Sequence, residues 1–441
     1  MVTREEAKLA VIKHIYEQDP AMESLIRVDV ENELKLINAK SELNTCYQLI
    51  NAILSDYIDM KPSYRKFIAI WIIGTYHHEA FNTYPYLFFN AMRGSAKTRT
   101  LKLISSMGNK GDGSVLNNLT EATLFRIKRN TVTCIDEFEQ INSKDKQTIR
   151  EILNSAYKRG MKVQRMKKKK SSTGEEYVTE SFEPFFPIAM ANIWGVEEVL
   201  ADRSITLILE KSSNPYFTKK IEDFDSNQDI LRVKTILTEL YDVIDITLRS
   251  RGYIFDWNDY IREKYKCNNV IYTFNINNVN NVIPIENEDL EKLQFFNKLD
   301  DSGINGRNFE LMLPILLIAK IISDEVFEDI LKICVELVGL KKDEEYADSK
   351  DVSMFEFVAQ LTSFNEELIS VKELTNRFRS FLGEQENEDR WLNEKWFGRA
   401  IKRLNIIKAK QKRFNGSYVM LDIEKAKEKL KMFKTEVKQD D

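Results

Sequence analysis

The segment Phe89 to Thr100, FNAMRGSAKTRT, constrains this chain more than any other. It lies between an apolar run that ends at Phe89, YPYLFF, and a helix-forming run, TLKLIS. A turn of small residues that follows a strand and ends in Lys-Thr at a helix start lets backbone N–H groups converge on phosphate oxygens. The pattern that does this best is G-x-x-x-x-G-K-[ST]. Ala91 and Ala96 stand at its two glycine positions, and Gly94 remains at the tip. The Ala96 methyl is tolerable if the local φ is negative and costly if it is positive. The bland alternative is a basic turn between a strand and a helix.

If the loop holds a nucleotide, Arg93, Gly94, Ser95 and Ala96 form its cradle. Lys97 then meets the β- and γ-phosphates of ATP, and the Thr98 hydroxyl ligates Mg²⁺. About forty residues further on, TVTCIDEFE reads as an apolar strand ending in Asp136 and Glu137. There Asp136 serves the Mg²⁺ shell and Glu137 polarises the attacking water; an acidic strand cap is the plainer reading. PFFPIAMANIWG is another apolar strand, ending in Asn192, a polar group placed to orient that water. In VLADRSITLILE, Arg203 precedes a further strand, where it can reach the nucleotide of a neighbouring subunit. Taken singly, a surface ion pair explains Arg203 as well.

A chain of 441 residues with 43% hydrophobic content is long enough for more than one domain. Residues 1–82 read as helical, with one buried helix in YRKFIAIWIIGTY. Residues 83–210 alternate strand and helix, the pattern of a parallel α/β sheet with flanking helices. Residues 211–345 read as helical, interrupted by an Asn-rich insertion, NVIYTFNINNVNNVIPIENED. The acidic stretch KKDEEYADSKD, Lys341 to Asp351, reads as a linker, and residues 352–441 as a small separate domain. The net charge of -4 means that a nucleic-acid role needs local basic patches. Cys46, Cys134, Cys267 and Cys334 have no C-x-x-C spacing and form no metal motif with His14, His77 and His78, which fits a reducing compartment. His77-His78 is expected at a partly exposed helix end. The longest apolar run, Phe67 to Gly74, is far short of the ~20 residues a membrane span needs. The expectation is a soluble cytoplasmic protein with no membrane partner.

Two basic regions are candidate nucleic-acid contacts. MKVQRMKKKKSSTGEEYVTESFEPF, just ahead of the Asn192 strand, reads as a hairpin. Its first half carries Lys162, Arg165, Lys167, Lys168, Lys169 and Lys170, which can grip phosphates without reading bases; a solvated basic loop is the alternative. In the last domain, ISVKELTNRFRSFLG and WLNEKWFGRAIKRLNI read as helices, followed by a hairpin turning at Asn415-Gly416. Helix, helix and hairpin describe a winged helix. Lys395, Arg399, Lys402 and Arg403 lie on its second helix, and Lys408, Lys410, Lys412 and Arg413 on its hairpin. Trp391, Trp396 and Phe397 are expected in its core. Protein binding is the other use of such a domain.

The order Lys97/Thr98, Asp136/Glu137, Asn192, Arg203 resembles the AAA+ core, with these residues as Walker A, Walker B, sensor 1 and arginine finger. PYLFFNAMRGSAKTRTLKLI, NLTEATLFRI and VLADRSITLIL also resemble the MCM-like helicases of viruses, plasmids and other mobile elements. The likeness is close over residues 60 to 210 and loose elsewhere. It implies an AAA+ P-loop ATPase core whose hairpin before sensor 1 enters the pore of a hexamer. It also implies a helical lid in GRNFELMLPILLIA with Arg307 as sensor 2, and a C-terminal winged helix. The two alanines and the long segment between Arg203 and Arg307 depart from the family pattern. The expected function is an ATP- and Mg²⁺-dependent DNA helicase or translocase. It would be a homo-oligomer, a hexamer, on single-stranded or forked DNA, replicating a mobile or viral genome. Two other classes stay open. One is a nucleotide-gated origin-binding initiator with weak or no hydrolysis. The other is a signalling or scaffold ATPase whose winged helix binds protein.

Overall fold

A computed structural model describes residues 23–117, 119–127, 130–137, 146–171, 174–193, 197–250, 253–265, 287–348, 350–361, 367–383, 392–414 and 416–433. The Asn-rich stretch up to residue 286, Trp391 and Asn415 lie outside these residues, as do the side chains of Arg165, Lys167, Lys168, Lys169, Lys170 and Arg403. The chain forms two compact units, Met1–Leu337 and Val338–Asp441.

Helices α1, Glu23–Tyr57, and α2, Pro62–His77, open the first unit. Proline in the first turn starts α2, where the missing N–H costs no hydrogen bond. From Phe67 to His77 every residue of α2 is buried, so it is an internal helix rather than an amphipathic surface one. Trp71 Nε1 donates to the Pro85 carbonyl at 2.8 Å, and the Tyr84 hydroxyl donates to the Trp71 carbonyl at 2.6 Å. Gly74 is required at this contact: a methyl there would lie 2.3 Å from the Tyr84 hydroxyl oxygen. His77 and His78 are buried, not partly exposed as expected, because the helix ends under Tyr241 and Phe185. No helix among the described residues is long and apolar enough to cross a membrane.

Strand β1, Tyr86–Ala91, leads into α3, Lys97–Met107. Helix α4, Glu121–Arg126, precedes β2, Thr133–Ile135, and α5, Gln147–Ala156, precedes a hairpin of β3, Val163–Ser171, and β4, Gly174–Phe182. Then come β5, Ile188–Asn192, the short α6, Glu198–Ala201, and β6, Ser204–Leu209. Four of these strands make one parallel sheet in the order β2-β5-β1-β6. Their near-unbroken apolar runs are what strands covered on both faces require. Parallel direction has a functional consequence. The loop after β1, Asp136 after β2 and Asn192 at the end of β5 all fall on the carboxyl edge of the sheet, the edge where open α/β sheets bind ligands.

Beyond β6 follow α7, Pro215–Lys219; α8, Gln228–Glu239; α9, Tyr241–Ser250; α10, Tyr253–Lys264; α11, Asn287–Asp301; α12, Gly306–Ile322; and α13, Asp324–Asp348. The stretch from Lys341 expected as a linker is helical through Asp348 and again from Lys350. Its Lys, Glu and Ala residues are strong helix formers, and charge alone does not unfold them.

The second unit contains α14, Lys350–Gln360; β7, Ile369–Ser370; α15, Val371–Phe381; α16, Glu394–Arg403; β8, Ile407–Arg413; β9, Gly416–Leu421; and α17, Ile423–Phe433. The strands form an antiparallel sheet in the order β7-β9-β8. Ser370 caps α15 by accepting from Glu373 N, and Asn393 caps α16 by accepting from Trp396 N. Phe357, Phe378, Phe397 and Ile401 form its core, and Trp396 stacks on Phe378.

Candidate functional site

Ala91 ends β1, and the chain turns through Gly94 at φ 78° and Ala96 at φ 61° before α3 begins at Lys97. Left-handed residues alternating with ordinary ones turn successive N–H groups toward one concave side, an anion-binding nest. Among the described residues no side chain caps α3, so its first-turn N–H groups have no side-chain acceptor. The Ser95 hydroxyl donates to the Met92 carbonyl at 2.7 Å and holds the turn closed. Ala96 therefore adopts the left-handed conformation that a glycine takes without strain, at about 1–2 kcal/mol for a residue with a Cβ.

Three side chains meet beside this loop. Thr98 Oγ1 donates to Asp136 Oδ2 at 2.5 Å, and Lys97 Nζ lies 3.4 Å from Asp136 Oδ1. The Asp136 carboxylate is 4% exposed, and its Oδ1 also accepts from Glu137 N at 2.8 Å. Glu137 has φ 52°, so the chain turns sharply straight after Asp136 and leaves Glu137 exposed. Asn192 is buried and lies in register with Asn90 across β5 and β1. One residue at this edge was not singled out in the sequence. Lys211 follows β6, and a methyl on Gly94 would lie 3.7 Å from its Cε. Its one sequence signal is its position just past the end of β6, at the same edge as the loop. Arg99, next to Thr98, anchors α3 from behind. It donates to the Phe217 and Lys220 carbonyls at 3.0 and 2.8 Å and sits 3.5 Å from Glu222.

Arg203 and Arg307 are not part of this cluster. Arg203 immediately precedes β6 and so lies at the amino edge, a strand's length of roughly 20 Å from the loop. Its Nε donates to the Asn154 carbonyl at 3.1 Å, its guanidinium donates to the Val199 carbonyl, and it lies 5.1 Å over the Tyr157 ring. Arg307 joins it there, 5.0 Å over the same ring, with Nη1 donating to the Tyr157 hydroxyl at 2.6 Å. Asp202 and Glu310 lie 3.9 and 3.8 Å from Arg307. Tyr157 thus gathers both arginines at the edge opposite Lys97.

The hairpin of β3 and β4 pairs without slip from Val163↔Phe182 to Ser171↔Gly174. Its base is closed by Gly160 N donating to Glu183 Oε1 at 2.7 Å. The register sets Arg165 opposite Glu180, Lys169 opposite Glu176 and Lys170 opposite Glu175. Lys167 and Lys168 face Val178 and Tyr177, and Lys162 just before β3 is exposed. In the second unit, Lys395, Arg399 and Lys402 are exposed at spacings of four and three, a single face of α16 opposite buried Phe397, Ala400 and Ile401.

No described group of His, Cys, Asp and Glu forms a multi-residue metal cluster. Cys46, Cys134 and Cys334 are buried free thiols, and burial pushes each above its ordinary value, as inert structural cysteines. No protein-family model, curated protein or solved structure matches the chain.

Proposed function

We propose that this chain is an ATP-hydrolysing motor of the AAA+ type that moves on DNA. The observation that carries the reading is the convergence of Lys97 and Thr98 on Asp136 beside a loop of left-handed turns at the carboxyl edge. A hydroxyl and a buried carboxylate that meet at this edge fit the donor set of a Mg²⁺–nucleotide site. Thr98 and Asp136 would hold the ion, which neutralises charge on the phosphate oxygens when bound.

The chain's own groups have distinct tasks. The N–H groups of Gly94, Ala96 and Lys97 bind phosphate, with Arg93 at the rim, while the Ser95 N–H closes the turn on the Met92 carbonyl at 3.3 Å. Lys97 exchanges Asp136 for the β/γ-phosphates. Glu137 accepts the proton of the attacking water, and Asn192 positions that water. Arg203 lies too far from its own loop to act there, so it serves the site of a neighbouring copy, and catalysis requires a ring, taken here as a hexamer. Arg307, held beside it by Tyr157, acts from the same side. The helix–strand–helix–helix–hairpin order of the second unit, with β7 on the free side of β9, supports its reading as a winged helix.

ATP hydrolysis with and without single-stranded DNA, alongside Lys97→Ala, tests the motor. DNA-stimulated turnover that the variant abolishes is expected. Turnover no higher than that of the variant overturns it. The second reading, a nucleotide-gated initiator, is favoured by two observations: the strained Ala96 and the exposed basic face of α16. Sequence-specific DNA protection without strand separation would select it.

A further inference from the structure

The tip of the β8–β9 hairpin carries a side chain that the fold does not use. Arg413 pairs with Gly416, which leaves Phe414 at the reversal, 106% exposed. It is the most exposed large apolar side chain among the described residues. A ring held in water adds nothing to packing and is a liability for solubility.

The strand that leads to it is basic. Between Ile407 and Leu421 the chain carries Lys408, Lys410, Lys412 and Arg413 and no acidic residue. Lys408 is partly neutralised, with its Nζ 4.0 Å from Asp422 Oδ1. Arg413 lies 4.7 Å over the Tyr418 ring and donates through Nε to Gln411 at 3.0 Å. Lys410 and Lys412 are exposed and two residues apart, so they share one face of β8. Lysines on an edge strand have a bland purpose, which is to keep it from pairing with other chains. That purpose does not extend to Phe414, which works against it.

We infer that Phe414 is a base-stacking tip: it takes the face of an unpaired base of single-stranded DNA while Lys410 and Lys412 hold the adjoining phosphates. A nucleobase offers a flat apolar face on an anionic backbone, which matches an exposed ring at the end of a basic strand. An apolar groove on a protein would match the ring and leave the lysines without a counterpart. In a duplex interior the base faces are already stacked, so the tip distinguishes single strands and frayed ends from paired DNA. This inference rests on the DNA-binding reading of the second unit.

The test measures binding of the full chain to a fluorescein-labelled 20-mer of dT, an abasic 20-mer and a blunt duplex, over a range of NaCl. Phe414→Ala is expected to weaken dT binding about tenfold, with the salt slope unchanged and duplex binding unaffected. Phe414→Trp is expected to restore it. The wild type should prefer dT to the abasic strand, and Phe414→Ala should lose that preference. Lys410→Ala with Lys412→Ala should instead flatten the salt slope by about 1–2. Salt-sensitive dT binding that Phe414→Ala leaves intact overturns the stacking role alone and makes the tip a protein-docking residue. Absence of DNA binding by the wild type overturns both the tip and the DNA reading. Full solvent exposure of Phe414 means that its removal leaves the fold intact.

Discussion

Lys97 Nζ lies 3.4 Å from Asp136 Oδ1, so the ammonium that would meet phosphate is held by the carboxylate that would meet the metal. Thr98 bonds the other oxygen of the same carboxylate. A closed triad of this kind keeps a 4% exposed carboxylate compensated until a ligand takes its partners.

That triad makes Lys97→Ala informative twice. Nucleotide affinity is expected to fall at least tenfold, about 1.4 kcal/mol, by titration with a fluorescent ATP analogue. The variant also leaves Asp136 buried with less compensation, so its urea midpoint should fall. A variant that binds ATP as well as the wild type would remove Lys97 from the phosphate site.

Glu137→Gln separates binding from chemistry. Retained ATP binding with turnover reduced at least 100-fold is expected if Glu137 accepts the proton. Undiminished hydrolysis removes Glu137 from that role.

Ala96 sits at φ 61°. Ala96→Gly should stabilise the chain by about 0.5–1 kcal/mol, the relief of strain less glycine's greater unfolded-state entropy. Ala96→Val, β-branched at the same φ, should destabilise it. Denaturant midpoints of the two variants should move in opposite directions. A glycine variant no more stable than the wild type would mean the loop relaxes around the alanine.

Arg203 and Lys97 lie at opposite edges of the sheet. If Arg203 acts on a neighbour, Arg203→Ala and Lys97→Ala preparations, each inactive alone, should regain part of the ATPase activity when mixed. Absence of regain across mixing ratios would leave Arg203 as a partner of Tyr157 only.

His77 and His78 are both pushed down to about 4, chiefly by burial. His77 stacks on Tyr241, and among the described residues neither of its ring nitrogens has a hydrogen-bond partner. The unfolded chain binds protons near pH 6.5 that the folded chain refuses until about pH 4. Stability is therefore full above pH 6.5, falls as pH drops toward 4, and levels off below. About 3 kcal/mol per histidine is the order of magnitude of the upper bound. Urea midpoints at pH 7, 5.5 and 4.5 should decline, and His77→Gln should shallow the decline. A flat profile across that window would show that the histidines titrate normally.

The local order of the chain was legible in the sequence. YLFFNA, TVTCI and IAMAN are short apolar runs, and their length and composition identify them as buried strands. The hairpin from Val163 and the helix–hairpin order near the C-terminus were legible for the same reason, because turn residues and period are local properties. What the sequence left open was whatever depends on long-range packing. The sign of φ at Ala96 is set by how β1 meets α3. The meeting of Lys97, Thr98 and Asp136 depends on β5 standing between β1 and β2 in one parallel sheet. The burial of His77-His78 comes from aromatic rings contributed by α9 and the segment before β5. The separation of Arg203 from Lys97 follows from strand direction, which places residues before β6 and residues after β1 at opposite edges, and Tyr157 holds Arg307 at the same edge as Arg203. Pattern is fixed along the chain, but proximity between residues far apart in sequence is decided only when the sheet assembles.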